Sequence, residues 1–110
     1  MTTVERLERG LERIRRGWCQ GALSRDANGI DCCDIQETGP PMSWCMIGAV
    51  AGQVNECSIL FHKAIDEIFA DECLGGIDSW NDEPGRTQSE VIAVFERAIE
   101  LAREEAGGEL

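Results

Sequence analysis

The sequence predicts an all-α protein, a small four-helix bundle-like single domain with long loops that spans residues 1–110. Three observations lead to this class. Apolar residues recur at helical spacing in four separate segments, and Thr-x-x-Glu capping signatures stand before the first and the last of them. No set of alternating segments predicts a sheet. A chain of 110 residues suits one hydrophobic core.

The first helix is predicted over Thr2 to Arg16, because apolar residues recur along one face while glutamate and arginine occupy the others. Thr2 and Glu5 form a capping box, in which each side chain pairs with a free amide at the helix start. Gly17 is the predicted end of this helix.

Residues 18–41 have little periodicity and are predicted as mainly loop, long enough to suspect a functional role. Asn28-Gly29 indicates a turn, since both residues tolerate positive φ. A short hairpin near 28–36, with Ile30 to Ile35 as one arm, is the alternative.

The most apolar segment follows, and we interpret Ser43 to Ala51 as a buried central helix that Ser43 caps. A strand is the alternative, because so short an apolar run is ambiguous by periodicity. The small residues Gly48, Ala49 and Ala51 would let another element approach this backbone closely.

Asn55 is predicted to cap a third helix that runs to about Glu72. A polar link over residues 77–86 then leads to a second capping box, Thr87 with Glu90, which begins a helix running to about Ala102. The acidic tail, residues 104–110, is expected to fray.

The formal net charge of -11 argues against direct binding to nucleic acid or to an anionic membrane. Almost all of the acid lies beyond Arg25, so the arginine-rich first helix could dock on the acidic remainder. With neither a membrane-spanning run nor a signal peptide in view, we expect a cytoplasmic protein whose six cysteines are reduced thiols.

Three islands combine tryptophan with cysteine, glycine or amide residues: residues 16–21, 43–49 and 80–87. In these islands the chain resembles a family of small bacterial and phage proteins, the domain-of-unknown-function family 6197, from about Ile14 to Ala102. The stretch Trp-Asn-Asp-x-Pro-Gly-Arg-Thr at 80–87 is its most specific part. The resemblance implies phage association but no established activity, and it marks these signature positions: Trp18, Cys19, Trp44, Cys45, Gly48, Ala49, Trp80, Asn81, Asp82, Pro84, Gly85, Arg86 and Thr87.

The island at 80–87 has two interpretations. Amides at the helix start near Thr87, with Arg86 beside them, could hold a phosphate or a carboxylate. Alternatively the segment is only a turn and a cap, in which Asp82 pairs with Arg86 and Trp80 covers the core.

The sequence predicts no metal site, no cofactor and no catalytic residue. No Cys-x-x-Cys pair exists, and His62 stands five positions after Cys57, on a different helix face. Cys19 lies close to Arg15 and Arg16, whose charges would favour a thiolate, but no base accompanies it.

An acidic cluster near the end of the third helix is usually a solvated face, but it could serve as a docking surface for a basic partner. Its members are Asp66, Glu67, Asp71 and Glu72.

The leading functional hypothesis is a non-catalytic binding or interaction protein that uses a tryptophan-lined surface, with Arg86 at a helix start, to hold a protein partner or a small anionic ligand. The expected site residues are Trp18, Cys19, Trp44, Trp80, Asn81, Asp82, Arg86 and Thr87. One alternative is an acidic mimic of nucleic acid that inhibits a nucleic-acid enzyme. Others are a small enzyme acting on an anionic substrate and a structural subunit that forms homo-oligomers.

Overall fold

The computed structural model describes residues 2–32, 39–51, 55–70 and 76–108. These residues form five α-helices and two short antiparallel strands. The elements are α1 (Thr3–Arg16), β1 (Ser24–Arg25), β2 (Ser43–Trp44), α2 (Met46–Ala49), α3 (Asn55–Phe69), α4 (Ile77–Asp82) and α5 (Gln88–Gly108). The helical class is confirmed, with three long and two short helices where four were predicted.

Helix α1 begins and ends where the sequence predicts. The Glu5 backbone N–H donates to Thr2 Oγ1 (3.1 Å), and the Thr2 backbone N–H donates to Glu5 Oε1 (3.2 Å), which completes the capping box. Gly17 caps the other end by donating to the Arg13 carbonyl (3.0 Å). Leu7 and Ile14 are fully buried, so the predicted apolar face is the one that packs.

The core lies where α5 packs between α1 and α3. Phe61 of α3 and Phe95 of α5 meet edge to face, with ring centroids 4.8 Å apart. Gly10 of α1 faces the Phe95 ring, and a Cβ at Gly10 would stand 2.7 Å from a ring carbon. These contacts hold the three long helices together through one cluster of buried apolar side chains.

The segment predicted as a central helix is part strand and part helix. Ser43 does not cap a helix, because it lies in β2 beside Arg25 of β1. The helix begins three residues later, where the Cys45 sulfur accepts the Gly48 backbone N–H (3.3 Å). Backbone pairing with an earlier segment holds Ser43 and Trp44 extended, and this long-range partner decided against the longer helix.

The predicted polar link at 77–86 is wrong in its first half, where α4 forms. Gly76 precedes α4 with φ of 91°, a conformation that glycine adopts readily. Helix α3 ends at Phe69, and Ala70 has a φ of 52°. Of the predicted continuation of α3 through Glu72, Ala70 is not helical, and Asp71 and Glu72 lie outside the described residues.

Helix α5 begins at the predicted capping box and continues beyond Ala102. The Glu90 backbone N–H donates to Thr87 Oγ1 (3.2 Å), while the Thr87 backbone N–H donates to Glu90 Oε1 (2.9 Å). The part of the tail from Glu104 to Gly108, which was expected to fray, belongs to the helix. An ion pair of Glu105 with Lys63 joins this last part to α3, and Glu104 pairs with Arg97 within α5 itself.

The loop after α1 contains the predicted turn. Asp26 organises it: its Oδ1 accepts the backbone N–H groups of Asn28 (2.9 Å) and Ile30 (3.0 Å), and Gly29 has a φ of 78°. A single antiparallel bridge joins Arg25 to Asp31 across the turn. Part of the alternative hairpin near 28–36 lies outside the described residues.

None of the helices in the described part of the chain combines the length and the apolar composition needed to cross a membrane.

Candidate functional site

The first two tryptophan islands lie side by side. The Cys19 backbone N–H donates to the Trp44 carbonyl (3.1 Å), and the Trp44 backbone N–H donates to the Gly17 carbonyl (3.0 Å). Trp18 and Trp44 are therefore paired as in a short parallel ladder. Both indoles are half-buried against the core.

Asn81 of α4 joins the third island to the other two. Its Oδ1 accepts the Trp18 indole N–H (2.8 Å) and the Met46 backbone N–H (3.1 Å), and its Nδ2 donates to the Cys19 carbonyl (3.1 Å). The Asn81 side chain is completely buried. Every polar atom of its amide is thus paired, which fixes the relative positions of the three islands.

Two neighbours of Asn81 add further links between the first and third islands. Gln20 Nε2 donates to the carbonyls of Asn81 and Glu83 (3.0 Å each). Asp82 Oδ1 accepts the Gly21 backbone N–H (3.0 Å). Sequence reasoning missed Gln20, because nothing local distinguishes a glutamine whose partners lie more than sixty residues away.

Trp80 and Arg86 form a stacked pair. Trp80 is 3% exposed, and the Arg86 guanidinium carbon lies 3.7 Å from the centroid of its ring. Arg86 Nε also donates to the Trp80 carbonyl (3.0 Å), and Phe69 covers another side of the indole, with ring centroids 5.5 Å apart. Within the described part, the buried Trp80 Nε1 has no hydrogen-bond partner.

The charge of Arg86 is already shared with two carboxylates of the protein. Its guanidinium pairs with Glu83 (2.8 Å) and Glu90 (3.5 Å), and its side chain is 10% exposed. The alternative pairing of Asp82 with Arg86 is replaced by these two contacts. Because Thr87 and Glu90 occupy amides at the start of α5, this corner has the geometry of a closed turn and cap.

The burial of Cys19 disfavours the thiolate that the sequence suggested. Desolvation raises the pKa of the Cys19 thiol, outweighing a hydrogen bond with Ser43 and the charge of Arg25. The thiol is 9% exposed and donates to the Ala22 carbonyl (3.6 Å). Burial likewise raises the pKa values of Cys45 and Cys57, so these thiols stay protonated at neutral pH.

Cysteines 19, 32, 45 and 57 are free thiols. Within residues 2–32, 39–51, 55–70 and 76–108, no three histidine, cysteine or acidic side chains gather as metal ligands.

Two members of the predicted acidic surface are described. Asp66 is exposed, whereas Glu67 forms a two-pronged ion pair with Arg97 of α5, with Nε–Oε2 and Nη2–Oε1 distances of 2.5 and 3.4 Å. This hydrogen bonding lowers the pKa of Glu67. Asp71 and Glu72 lie outside the described residues.

Two exposed apolar side chains flank the two-stranded sheet beside the islands. Leu23, which precedes β1, is 59% exposed, and Met42, which precedes β2, is 54% exposed. Leu23 adjoins the end of the ladder at the Ser24–Trp44 pair, and Met42 adjoins the other end, where its backbone N–H donates to the Arg25 carbonyl (2.8 Å). Sequence reasoning did not identify either residue, since a single apolar residue in a loop carries no periodicity.

Glycine fixes the backbone beneath both of these residues. A Cβ at Gly48 would stand 2.0 Å from the Leu23 carbonyl oxygen, and a Cβ at Gly17 would stand 2.3 Å from the Met42 carbonyl oxygen. The prediction that Gly48 permits close approach of another element is confirmed. The approaching element is the chain at Leu23, which the sequence did not indicate.

A protein-family model described as a family of unknown function (DUF6197) matches residues 1–101. The chain belongs to the DUF6197 family. The resemblance seen in the islands is therefore confirmed at the level of the family, and all three islands of this DUF6197 member fall inside the match. Comparison with curated proteins and with solved structures gave no match.

Proposed function

We propose that the protein is a non-catalytic binding protein that engages a protein partner through Leu23 and Met42, together with the half-buried indoles of Trp18 and Trp44. These four residues are called the hairpin surface below. The carrying observation is that Leu23 and Met42 expose more than half of their surface although close glycine contacts hold their backbone in place.

Preorganisation is the physical reason for choosing this surface. An apolar side chain on a fixed backbone loses little conformational entropy when a partner covers it, so more of the burial free energy remains for affinity. Because Leu23 and Met42 adjoin the two ends of the same two-residue ladder, one interface of ordinary size is large enough to cover both. The buried network around Asn81 supplies the rigid support behind them.

In this proposal the tryptophan islands support the hairpin surface from beneath. Trp80 and Asn81 lie below the surface, whereas Trp18 and Trp44 reach it in part. Substituting Trp80 would disturb the core as well as binding, so Leu23 and Met42 are the residues that separate the two effects. The phage association implied by the family resemblance is consistent with a partner in a phage or its host.

The alternatives have weaker support from the same contacts. A mimic of nucleic acid needs unpaired carboxylates, but Glu67 shares its charge with Arg97. An enzyme using Cys19 and Arg86 needs a thiolate and a free cation. Burial raises the pKa of Cys19, and Glu83 and Glu90 already pair with Arg86.

Site-specific photo-crosslinking in living cells tests the proposal. A photoreactive residue at position 23 or 42 should give the same protein adduct, and the Leu23→Ser/Met42→Ser variant should not retain that partner in a pull-down. Ile59, which is 57% exposed on α3, is the matched control position. An equal adduct from position 59, or none from 23 and 42, contradicts the proposal. An adduct with a second copy of the chain would identify a homo-oligomer.

A further inference from the structure

The positive charges of this acidic protein are unevenly paired. The sequence has 10 lysines and arginines, and all of them lie in described segments. Six of these residues form an ion pair within the described part of the chain: Arg15, Arg16, Lys63, Arg86, Arg97 and Arg103. The remaining four are Arg6, Arg9, Arg13 and Arg25. Three of the four share one face of α1.

Arg6, Arg9 and Arg13 stand three and four residues apart, so their guanidinium groups are neighbours on the helix. Like charges at this spacing repel one another and destabilise a helix slightly. In a chain with a formal net charge of -11, carboxylates are plentiful, yet none of the described ones forms an ion pair with these arginines, and the charge of Arg9 acts on Glu5 only from a distance. An anion placed between the three arginines would relieve the repulsion.

A cavity of about 90 Å³ lies on this face of α1. The three arginines line it together with Ala49, Val50 and Ala51 at the end of α2. The volume exceeds that of one water molecule and is well below that of a typical pocket for a drug-sized ligand. It suits one small tetrahedral oxyanion and excludes a larger organic group from the cavity itself.

The geometry of the individual arginines fits such a ligand. Arg13 Nη1 donates to the Ala49 carbonyl (3.1 Å), which holds the guanidinium in place and leaves its other N–H groups for a ligand. Arg6 lies near the first turn of α3, where its charge opposes the rise that burial causes in the pKa of Cys57. Arginine forks match the oxygen spacing of phosphate in a way that lysine does not.

We propose that Arg6, Arg9 and Arg13 bind a phosphate group at the junction of α1 and α2, as inorganic phosphate or as the phosphate of a small phosphomonoester. The acidic character of the rest of the chain disfavours a long polyanion such as nucleic acid. This site shares only Ala49, the last residue of the second island, with the tryptophan islands, and it includes neither Leu23 nor Met42, so it is separate from the hairpin surface.

A ¹H–¹⁵N NMR titration with inorganic phosphate, at ionic strength held constant with chloride, tests this site. The amide signals of Ala49, Val50 and Ala51 should shift and saturate. The Arg6→Gln/Arg9→Gln variant should weaken the apparent affinity about tenfold or more, because two charge-assisted contacts are lost. Arg13 is left unchanged because it also holds the Ala49 carbonyl.

Arg15→Gln/Arg16→Gln is the matched control, since it removes the same charge from the same helix but from arginines that pair with Glu96 and Glu12. Its phosphate affinity should stay close to that of the unmodified protein. A second titration with glycerol phosphate separates the two sources: tighter binding assigns a phosphomonoester, and equal binding assigns free phosphate. Absence of saturable shifts with both ligands, or equal weakening in both variants, overturns the proposal.

Discussion

Asn81 is the residue on which the arrangement of the islands depends. One buried amide pairs with the Trp18 indole, the Met46 backbone and the Cys19 carbonyl. Without the amide, the buried Met46 N–H and Cys19 carbonyl would lose this partner, and an unpaired buried polar group costs more than an ordinary hydrogen bond contributes.

We therefore expect Asn81→Ala to lower the free energy of unfolding by about 3 kcal/mol, since the buried Met46 N–H and the half-buried Trp18 N–H both lose their acceptor. Chemical denaturation at pH 7 measures this. Asn28→Ala is the control, because Asn28 is exposed and its described hydrogen bond is made by the backbone. A loss at Asn81 no larger than that at Asn28 would contradict the assigned role.

Gly48 is required because there is no room for a side chain, and not because its backbone has a positive φ. Its Cβ position is 2.0 Å from the Leu23 carbonyl oxygen, so a methyl group would push the two segments apart. Gly48→Ala should lower stability by about 2 kcal/mol or more. In thermal unfolding, Gly39→Ala should change little, because the first atom that its Cβ would meet, the Asp26 Cβ, stands 3.7 Å away. Equal effects at both positions would count against the close packing.

The buried cysteines make a prediction about reactivity. Burial raises the pKa values of Cys19, Cys45 and Cys57 above the ordinary thiol value of 9.0, so less thiolate exists at any given pH. Alkylation by iodoacetamide at pH 8, followed residue by residue with mass spectrometry, should be several-fold slower in the folded than in the urea-unfolded protein. Equal rates at Cys19 in both states would revive the thiolate hypothesis.

At the scale of elements, the best-defined local feature is the start of α5. Thr87 and Glu90 satisfy each other's backbone N–H groups, and hydrogen bonding from the Thr87 backbone lowers the pKa of Glu90 below its ordinary 4.5. A lowered carboxyl pKa means that the folded state stabilises the ionised form. Its contribution is present above the unfolded pKa and is lost as the pH falls through the folded value.

Glu90→Gln should therefore reduce stability at pH 7, and its difference from the unmodified protein should shrink as the pH falls below 4.5. Urea titrations between pH 7 and 3 measure this difference. Because the capping box is reciprocal, Thr87→Ala combined with Glu90→Gln should cost less than the sum of the single changes. Strict additivity, or a difference that does not vary with pH, would contradict the reciprocal box.

At the scale of the whole molecule, apolar packing and surface charge contribute unequally to the α1–α5 interface. Phe95 is completely buried between α1 and α3, whereas the Arg15–Glu96 and Glu8–Arg103 ion pairs bridge the helices in solvent. Exposed pairs contribute little because water and salt screen them.

Phe95→Ala is expected to lower the free energy of unfolding by about 3–5 kcal/mol through lost burial and a residual cavity. Glu8→Gln/Glu96→Gln should cost less than about 1 kcal/mol per ion pair. Denaturant unfolding of both variants makes the comparison. A larger effect of the charge variant would mean that the α1–α5 contact is mainly electrostatic.

The three scales differ in how far the sequence could predict them. Helix α1, both capping boxes and the Asn28-Gly29 turn were predicted, because the groups that form them stand within about four residues of one another. The family resemblance was also accessible, since it depends only on the order of the islands. Short-range chemistry of this kind is written into the chain itself.

Tertiary structure alone decided the remainder. Extended pairing of Ser43 and Trp44 with an earlier segment replaced part of a predicted helix, and α4 formed where a polar link was expected. Asn81 joins the islands through hydrogen-bond partners 35 to 63 residues away in sequence. Arg86 forms ion pairs with carboxylates of the protein itself. Such contacts form between residues that are distant in sequence and come together only when the helices pack. A local sequence pattern therefore cannot predict them.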